Sequence, residues 1–149
     1  MKVTDAFLGE HGVFYAQFDH LERAVPEATT PAQVRAHAAF LAAALASHAR
    51  LEDELLFTAL EPRLGAQGGP LAMMRTEHDE IEGGLSRLPG LEGLAEAQDL
   101  LLHVVRVARG HFAKEEQVLY PMAEQVLGAG TLGHLGADWA RQRKVVVGG

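Results

Sequence analysis

The sequence predicts an all-α protein, an antiparallel up-down four-helix bundle followed by a short C-terminal tail. Hydrophobic residues make up 48% of the 149-residue chain, only 6% of the chain is aromatic, and alanine and leucine dominate the apolar set. Apolar residues recur at spacings of three and four along four long segments, which is typical of amphipathic helices. Short stretches with proline and glycine separate the segments, and short connections favour antiparallel neighbours.

Length and composition restrict the class of protein. The chain fits one domain, residues 1–149, with a bundle over about 5–127 and a tail over 128–149. The absence of cysteine excludes disulfides and thiolate metal sites. A net charge of -7 argues against nucleic acid as a partner. No signal peptide or apolar run of roughly 18 residues is present, so we expect a cytoplasmic location and no membrane partner.

The first segment runs from about Asp5 to Val25. Its residues repeat at alternating steps of four and three, which predicts one helical face directed at partner helices. Pro26 follows the segment and ends it. The predicted face consists of Phe7, His11, Phe14, Phe18, Leu21 and Val25.

The second segment has a clear start. Thr30 can cap the helix, Pro31 suits the first helical position, and Gln33 completes a capping-box pattern. Pro62 and the glycine-rich stretch 65–69, which we predict to be a loop, end the segment. The predicted face consists of Val34, His37, Leu41, Leu45, His48, Glu52, Leu55 and Ala59.

The third and fourth segments follow the same pattern. The third opens with Pro70, and Pro89–Gly90 forms a turn after it. Its predicted face consists of Leu71, Met74, His78, Ile81, Leu85 and Leu88. The fourth spans about Leu94 to Leu127, and we expect Pro121 to kink it. Its predicted face consists of Leu94, Ala97, Leu101, Val104, Ala108, His111, Glu115, Val118 and Met122. In the tail we predict one short helix around Ala137–Arg143.

Polar side chains interrupt these apolar faces. An unpaired carboxylate in an apolar core costs several kcal/mol, so two carboxylates among four histidines need a compensating partner. A divalent or trivalent cation offsets the cost and satisfies the lone pairs. We therefore predict a metal centre. Its candidate ligands are His11, His48, Glu52, His78, His111 and Glu115.

An internal repeat supports this prediction. The stretch HARLEDELLFTA, from His48, aligns without gaps with HFAKEEQVLYPM, from His111. Residues four apart lie on one helical face, so each His-x3-Glu pair directs an imidazole and a carboxylate at one region. Each pair can bind one metal through nitrogen and bridge to a second through the carboxylate. Two similar helices facing each other build di-iron carboxylate sites in this way.

At these residues the chain resembles the hemerythrin-like HHE cation-binding family. The resemblance covers Asp5 to about Leu127, and four motifs carry it: FLGEHG, HARLEDELLF, EHDEIE and HFAKEEQVLYP. The resemblance implies two Fe ions as an oxo- or hydroxo-bridged di-iron centre. It also implies that Glu52 and Glu115 are bridging carboxylates and that the four histidines are terminal ligands.

The chain departs from hemerythrins that bind oxygen reversibly. Those proteins carry a second histidine one turn after the helix-three histidine, where this chain has Glu82. They also have an aspartate five residues after the fourth-helix histidine, where this chain has Glu115 four residues on. An anionic ligand in place of imidazole favours the ferric state, so reversible oxygen carriage is less favoured. Three roles are open for Glu82: a metal ligand, a hydrogen-bond partner of a ligand, or a solvent-exposed side chain.

Three functions fit these expectations. The leading one is a non-haem di-iron protein that binds or reacts with O2, NO or peroxide in sensing, storage or detoxification. Its partners would be that small ligand, an unidentified electron donor and, if the protein is a homodimer, a second copy of this chain. The alternatives are an iron storage or donation protein that serves repair of iron centres, and a structural helical bundle without a redox role. The residues leave open whether the protein is an enzyme.

The remaining conspicuous residues have simpler expected roles. We expect Tyr15 to pack with a hydrated hydroxyl, although it could approach an open coordination position. His37 is expected in the core or at the bundle end, His103 at the surface or behind a ligand, and Trp139 against the bundle. The following residues are expected to be solvated: His20, His134, Asp53, Glu54, Glu116, Asp79 and Glu80.

Overall fold

A computed structural model describes residues 1–65 and 69–148, and helices account for most of these residues. No strand occurs among the described residues, so the predicted all-α class is confirmed. None of the described helices is long and apolar enough to cross a lipid bilayer. The helices pack side by side as a bundle, and their antiparallel order stays a prediction. The elements are α1 (Val3–Ala24), α2 (Pro31–Leu51), a π-helical turn (Glu52–Phe57), α3 (Thr58–Leu64), α4 (Gly69–Arg87), a 3-10 turn (Leu88–Gly90), α5 (Leu94–Lys114), a second π-helical turn (Glu115–Leu119) and α6 (Tyr120–Arg143).

The predicted start of α2 is confirmed in its main feature. The Thr30 hydroxyl accepts a hydrogen bond from the backbone N–H of Gln33 at 3.3 Å. The Gln33 side chain accepts from the N–H of Thr29 at 2.7 Å, so the reciprocal half of the cap lies one residue earlier than the capping-box pattern predicts. After the end of α3, Gly65 has a φ of 82°, a left-handed conformation that favours glycine. The rest of the predicted loop 65–69 lies mostly outside the described residues.

Two π-helical turns change the register of the buried face, and the sequence pattern does not predict them. A π turn holds one more residue than an α turn, so every later side chain rotates around the helix. After Glu115 the buried residues are Leu119 and Tyr120, whereas the predicted Val118 is 52% exposed. The predicted faces hold as far as Leu55 and Glu115, which are buried, and are wrong after them at Ala59, Val118 and Met122, which are half-buried or exposed.

Pro121, where we expected a kink, has a helical backbone. Pro121 lies in the first turn of α6, directly after the wide turn. The break occurs instead at Gly128, whose φ of 76° and ψ of 163° are not helical. Helical structure then continues to Arg143, so the predicted tail helix around 137–143 is too short. Trp139 packs against a buried apolar cluster, which confirms that the tail docks on the bundle.

The apolar core forms two clusters. One contains Phe14, Phe18 and Phe112 and extends toward the Leu88 end of the bundle, and the other contains Phe7 and Phe57. The predicted core position of His37 is taken by the neighbouring Ala38, and His37 is half-buried against the ring of His20, 5.8 Å away. Along α1 the buried His11 lies between Phe7 and Phe14, so a polar layer separates the two clusters.

Gly136 lies where the segment after Gly128 contacts the N-terminus. A Cβ at this position would overlap the backbone oxygen of Met1, whereas a Cβ at Gly133 would meet no atom within 4 Å. We expect Gly136→Ala to lower the free energy of unfolding by about 1–3 kcal/mol, because backbone must move. Gly133→Ala should leave it unchanged or raise it by about 0.4–1 kcal/mol. Urea titrations that rank the two variants equally would contradict the docked position of this segment.

Candidate metal centre

The structure brings the six candidate ligands together in the polar layer between the two clusters. His11 lies on α1, His48 near the end of α2, and His78 on α4. Glu52 and Glu115 begin the two π-helical turns, and each has an exposed fraction of 0%. The six residues converge from α1, from α2 and the π turn after it, from α4, and from α5 and the π turn after it, as the sequence pattern predicts.

All four imidazoles direct Nε2 at a carboxylate. Within the two repeats, His48 Nε2 lies 3.1 Å from Glu52 Oε2, and His111 Nε2 lies 3.2 Å from Glu115 Oε1. The contacts between helices are slightly longer. His11 Nε2 lies 3.5 Å from Glu115 Oε1, and His78 Nε2 lies 3.8 Å from Glu52 Oε1.

The ligand atoms form two sets of four, and within each set all atoms lie within 4.8 Å of one another. The first donor set is His11, His48, Glu52 and Glu115. The second donor set is Glu52, His78, His111 and Glu115. Both sets contain the same two carboxylates. Glu82 belongs to neither set, and its side chain is exposed.

The donor atoms fit a metal ion because several are buried without a partner. Among the described residues, Nε2 of His48 and of His111, Oε1 of Glu52 and both carboxylate oxygens of Glu115 make no hydrogen bond. Each unsatisfied buried group costs about 1–3 kcal/mol, and more when it is charged. Imidazole nitrogen and carboxylate oxygen bind divalent and trivalent first-row metals, which would satisfy all of these atoms. The sets are therefore able to bind metal.

The carboxylates carry strongly shifted pKa values in the protein without metal. Burial and the negative charge of Glu52 raise the pKa of Glu115 well above its usual value. Burial also disfavours ionised Glu52, but the adjacent Glu115 and His48 side chains outweigh it, and the pKa of Glu52 is lowered. One carboxyl of the pair thus keeps a proton when no cation is present.

The imidazoles divide into two kinds. Burial lowers the pKa of His11, His78 and His111, which keeps these rings neutral, the form that binds metal. Burial disfavours charged His48 as well, but the hydrogen bond to Glu10 and the adjacent Glu52 carboxylate raise its pKa to about 9. Without metal, the His48 imidazolium thus compensates part of the buried negative charge.

Three further carboxylates contact Nδ1 of three of the four imidazoles. We call Glu10, Glu77 and Glu116 the outer carboxylates. Glu116 Oε2 lies 2.8 Å from His11 Nδ1, and Glu10 Oε2 lies 3.3 Å from His48 Nδ1. Glu77 Oε1 lies 3.4 Å from Nδ1 of His111. An Nδ1–H that donates to a carboxylate fixes the ring orientation and leaves Nε2 free for metal.

Each outer carboxylate is held by a further side chain. The Tyr15 hydroxyl donates to Glu116 at 2.6 Å, and Lys114 Nζ donates to Glu77 at 2.7 Å. Tyr15 therefore supports His11 through Glu116 and does not bond directly to a candidate ligand. The prediction that Glu116 belongs to a solvated face is wrong, because it bonds His11 and Tyr15 and is 28% exposed.

The two repeats differ in the contacts of their sixth residues, Asp53 and Glu116. Asp53 aligns with Glu116, but Asp53 accepts a hydrogen bond from Arg75 Nε at 3.2 Å. In the part of the chain that the structure describes, no carboxylate bonds Nδ1 of His78. His78 is also the most exposed of the six candidates, at 13%. The site is therefore asymmetric, with its more open side at His78.

Tyr120 belongs to the site, although the sequence pattern predicts no role for it. Its hydroxyl donates to Glu52 Oε2 at 2.9 Å and lies 3.2 Å from His11 Nε2. Burial and the charge of Glu52 raise the pKa of Tyr120, so the phenol keeps its proton. The internal repeat indicates this position. Phe57 is equivalent to Tyr120 in the other repeat, and its ring stacks on the candidate ligand His78 with centroids 5.6 Å apart.

Glu10 and Glu77 are also absent from the sequence prediction. Each directly precedes a candidate histidine, His11 or His78, and each bonds a histidine on another helix. Successive helical residues point about 100° apart, so a Glu-His pair can serve two helices. The two Glu-His dipeptides were the available signal.

A cavity of about 330 Å³ leads to the second donor set from between α2, α4 and α5. Its inner wall includes His48, His78 and His111, and Glu82 lies in its wall near the surface. Its remaining lining is mostly apolar and includes Leu45, Ile81, Leu85 and Phe112. A more polar cavity of about 350 Å³ adjoins it and shares the side chains of Ala46, Ala49, His78 and Glu82.

The comparison with known families agrees with this geometry. The sequence model of the hemerythrin HHE cation-binding domain matches residues 2–89, more than half of the chain. No curated protein and no solved structure gives a match. The matched region contains His11, His48, Glu52 and His78 at the positions where the helices bring them together. The chain belongs to the hemerythrin HHE cation-binding domain family.

Proposed function

We propose that the protein is a non-haem di-iron protein that binds or reacts with O2, NO or peroxide in sensing, storage or detoxification. One observation carries the proposal: two donor sets, each with two imidazoles, share the carboxylates of Glu52 and Glu115. Shared carboxylates suit two adjacent ions, which they would bridge. Helices in antiparallel order, each offering ligands at one level, would support this arrangement.

The ligand chemistry favours iron. Four imidazoles and two carboxylates, without a thiolate, suit iron, while zinc or manganese would compete for the same atoms. When bound, an iron pair supplies electrons and open coordination positions for a small ligand. The proposal includes a separate electron donor, because redox cycling consumes a reductant. It also includes a cytoplasmic location.

The chain itself directs a small ligand to one side of the centre. Phe112 stacks on His11 with centroids 3.8 Å apart, and Tyr120 covers the same ring from the other cluster. The His11 side of the first donor set is therefore covered, and within that set it is His48 that lines the cavity. The cavity opens on His78 and His111 in the second donor set, and its apolar wall admits a small neutral ligand while limiting water.

Metal analysis and an absorption spectrum of the untreated protein test the proposal. We expect two iron ions per chain, charge-transfer bands of a bridged ferric pair, and a spectral response of the ferrous protein to oxygen or nitric oxide. One zinc ion per chain with no spectral response would reject it.

Filling the cavity tests the ligand path separately. Ala42 lines the cavity, and the neighbouring Ala43 is exposed. We expect Ala42→Phe to slow nitric oxide binding to the ferrous protein about tenfold, which corresponds to ~1.4 kcal/mol of barrier. Iron content should not change, and Ala43→Phe should behave as the wild type. Stopped-flow traces in which the two variants react equally fast would exclude this path.

The second candidate function, iron storage or donation, is favoured by the open side at His78. Because His78 has no outer carboxylate among the described residues, an ion held by the second donor set should leave first. Rapid transfer of one ion to a weak chelator, followed by a slow second phase, would favour this function. Retention of both ions would favour the redox role.

A further inference from the structure

The segment after Gly128 reaches the metal centre from outside the bundle. It contacts Met1 at Gly136, and Leu132 and Ala140 are buried. Seven residues after Gly136, Arg143 lies beside Glu10, so this part of α6 runs along α1. The segment lies beyond residues 2–89, which the family model matches.

Arg143 binds Glu10 through the Nε–Nη2 edge of its guanidinium. Nε donates to Glu10 Oε1 at 2.9 Å, and Nη2 donates to both carboxylate oxygens. Nη1 donates to the hydroxyl of Ser47. Trp139 Nε1 donates to Glu10 Oε2 at 3.5 Å. A forked contact of this kind fixes the plane of a carboxylate, which a single lysine nitrogen does not do.

The same carboxylate holds a candidate ligand. Glu10 Oε2 accepts from Nδ1 of His48, while His48 Nε2 faces Glu52 in the first donor set. Arg143 and Glu10 have exposed side-chain fractions of 23% and 15%, so water screens their contact only partly. The supports of the other outer carboxylates, Tyr15 and Lys114, lie on the bundle helices α1 and α5.

We propose that Arg143 is a positioning residue for the metal centre, acting through Glu10 on His48, so that the C-terminal segment belongs to the metal centre. This inference rests on the proposed metal-binding function. Its physical content is that a fixed Glu10 holds the His48 ring in the orientation that presents Nε2, which lowers the reorganisation needed for metal binding.

Metal affinity tests the proposal in the full-length protein. Replacing a group that orients a ligand typically weakens metal binding 10–100-fold. We expect Glu10→Gln to fall in this range and Arg143→Gln near tenfold, measured anaerobically by competition of ferrous iron with a chromophoric chelator. Arg143→Lys should restore part of the affinity. Arg141→Gln is the matched control, because Arg141 is 71% exposed and pairs only with Asp138 among the described residues.

Two further measurements separate positioning from general stability. The double variant Arg143→Gln/Glu10→Gln should bind iron no more weakly than Glu10→Gln alone, because both changes act on one chain of contacts. In the metal-free protein, the imidazole nitrogen resonances of His48 should shift in Arg143→Gln and not in Arg141→Gln. Loss of melting temperature without any change of affinity or of these resonances would overturn the proposal.

The outcomes also separate this inference from the proposed function. Wild-type protein that binds iron as tightly as Arg143→Gln overturns the role of Arg143 and leaves the metal centre intact. Wild-type protein that binds no iron overturns the metal centre itself. In that case the His48 resonances of the metal-free variants still decide whether Arg143 orients the ring.

Discussion

We expect removal of metal to lower the melting temperature of this protein by about 10 °C or more, and we expect Glu52→Gln to abolish that difference. An ion present at 1,000 times its dissociation constant stabilises the native state by about 4.1 kcal/mol. In a chain of this size, 1 kcal/mol corresponds to roughly 2–4 °C. Glu52 belongs to both donor sets, so its replacement weakens both.

The metal-free melting temperature moves differently. In the metal-free protein the Glu52 carboxylate pairs with the His48 side chain, and removing one partner of a buried pair is destabilising. We therefore expect metal-free Glu52→Gln to melt below the temperature of the metal-free wild type, and the effect of iron is measured against each variant's own metal-free state. Glu54→Gln is the control, because Glu54 is 47% exposed and pairs with Arg50. Calorimetric scans in which iron stabilises Glu52→Gln as much as the wild type would contradict the role of Glu52.

The six candidate ligands were predictable because their signal is local. His48 and Glu52, like His111 and Glu115, are four residues apart, and helical geometry alone places each pair on one face. Their polar character on otherwise apolar faces then indicates a shared partner. The placement of each pair on one helical face needs no knowledge of loop geometry.

Other parts of the structure depend on geometry that the residue pattern does not encode. The sequence did not show whether His78 and His111 lie at one level, because this depends on the connection between α4 and α5. The structure places their ring centroids 4.6 Å apart, with the 3-10 turn Leu88–Gly90 in that connection. The π turns were not predictable either, because a turn that holds one more residue than an α turn has no distinctive residue composition.

The outer carboxylates show a second limit. Glu116 occupies a position that a helical wheel assigns to the surface, yet its side chain reaches back to His11 and Tyr15. A long side chain can bond a group one helix away, so the position of its Cα does not decide its burial. The same limit applies to Arg143, whose partner Glu10 is distant in sequence.

Phe112→Ala should destabilise the metal-free protein by about 3–5 kcal/mol, the cost of truncating a buried phenylalanine. Phe112 is 1% exposed, stacks on His11, and contacts Phe14 and Phe18 at centroid distances of 5.6 and 5.8 Å. Total stabilities are about 5–15 kcal/mol, so this loss is a large fraction.

The effect should extend to the metal centre, because Phe112 both supports the His11 ring and forms part of the cavity wall. Without the phenyl ring, the space beside His11 would join the cavity, and the ring of His11 would lose its stacking partner. We therefore expect weaker iron binding in addition to lower stability. Phe40→Ala is the matched control, because Phe40 is 70% exposed and its truncation should change unfolding by less than about 0.5 kcal/mol. Urea titrations that give both variants the same small change would show that Phe112 does not link the core to the site.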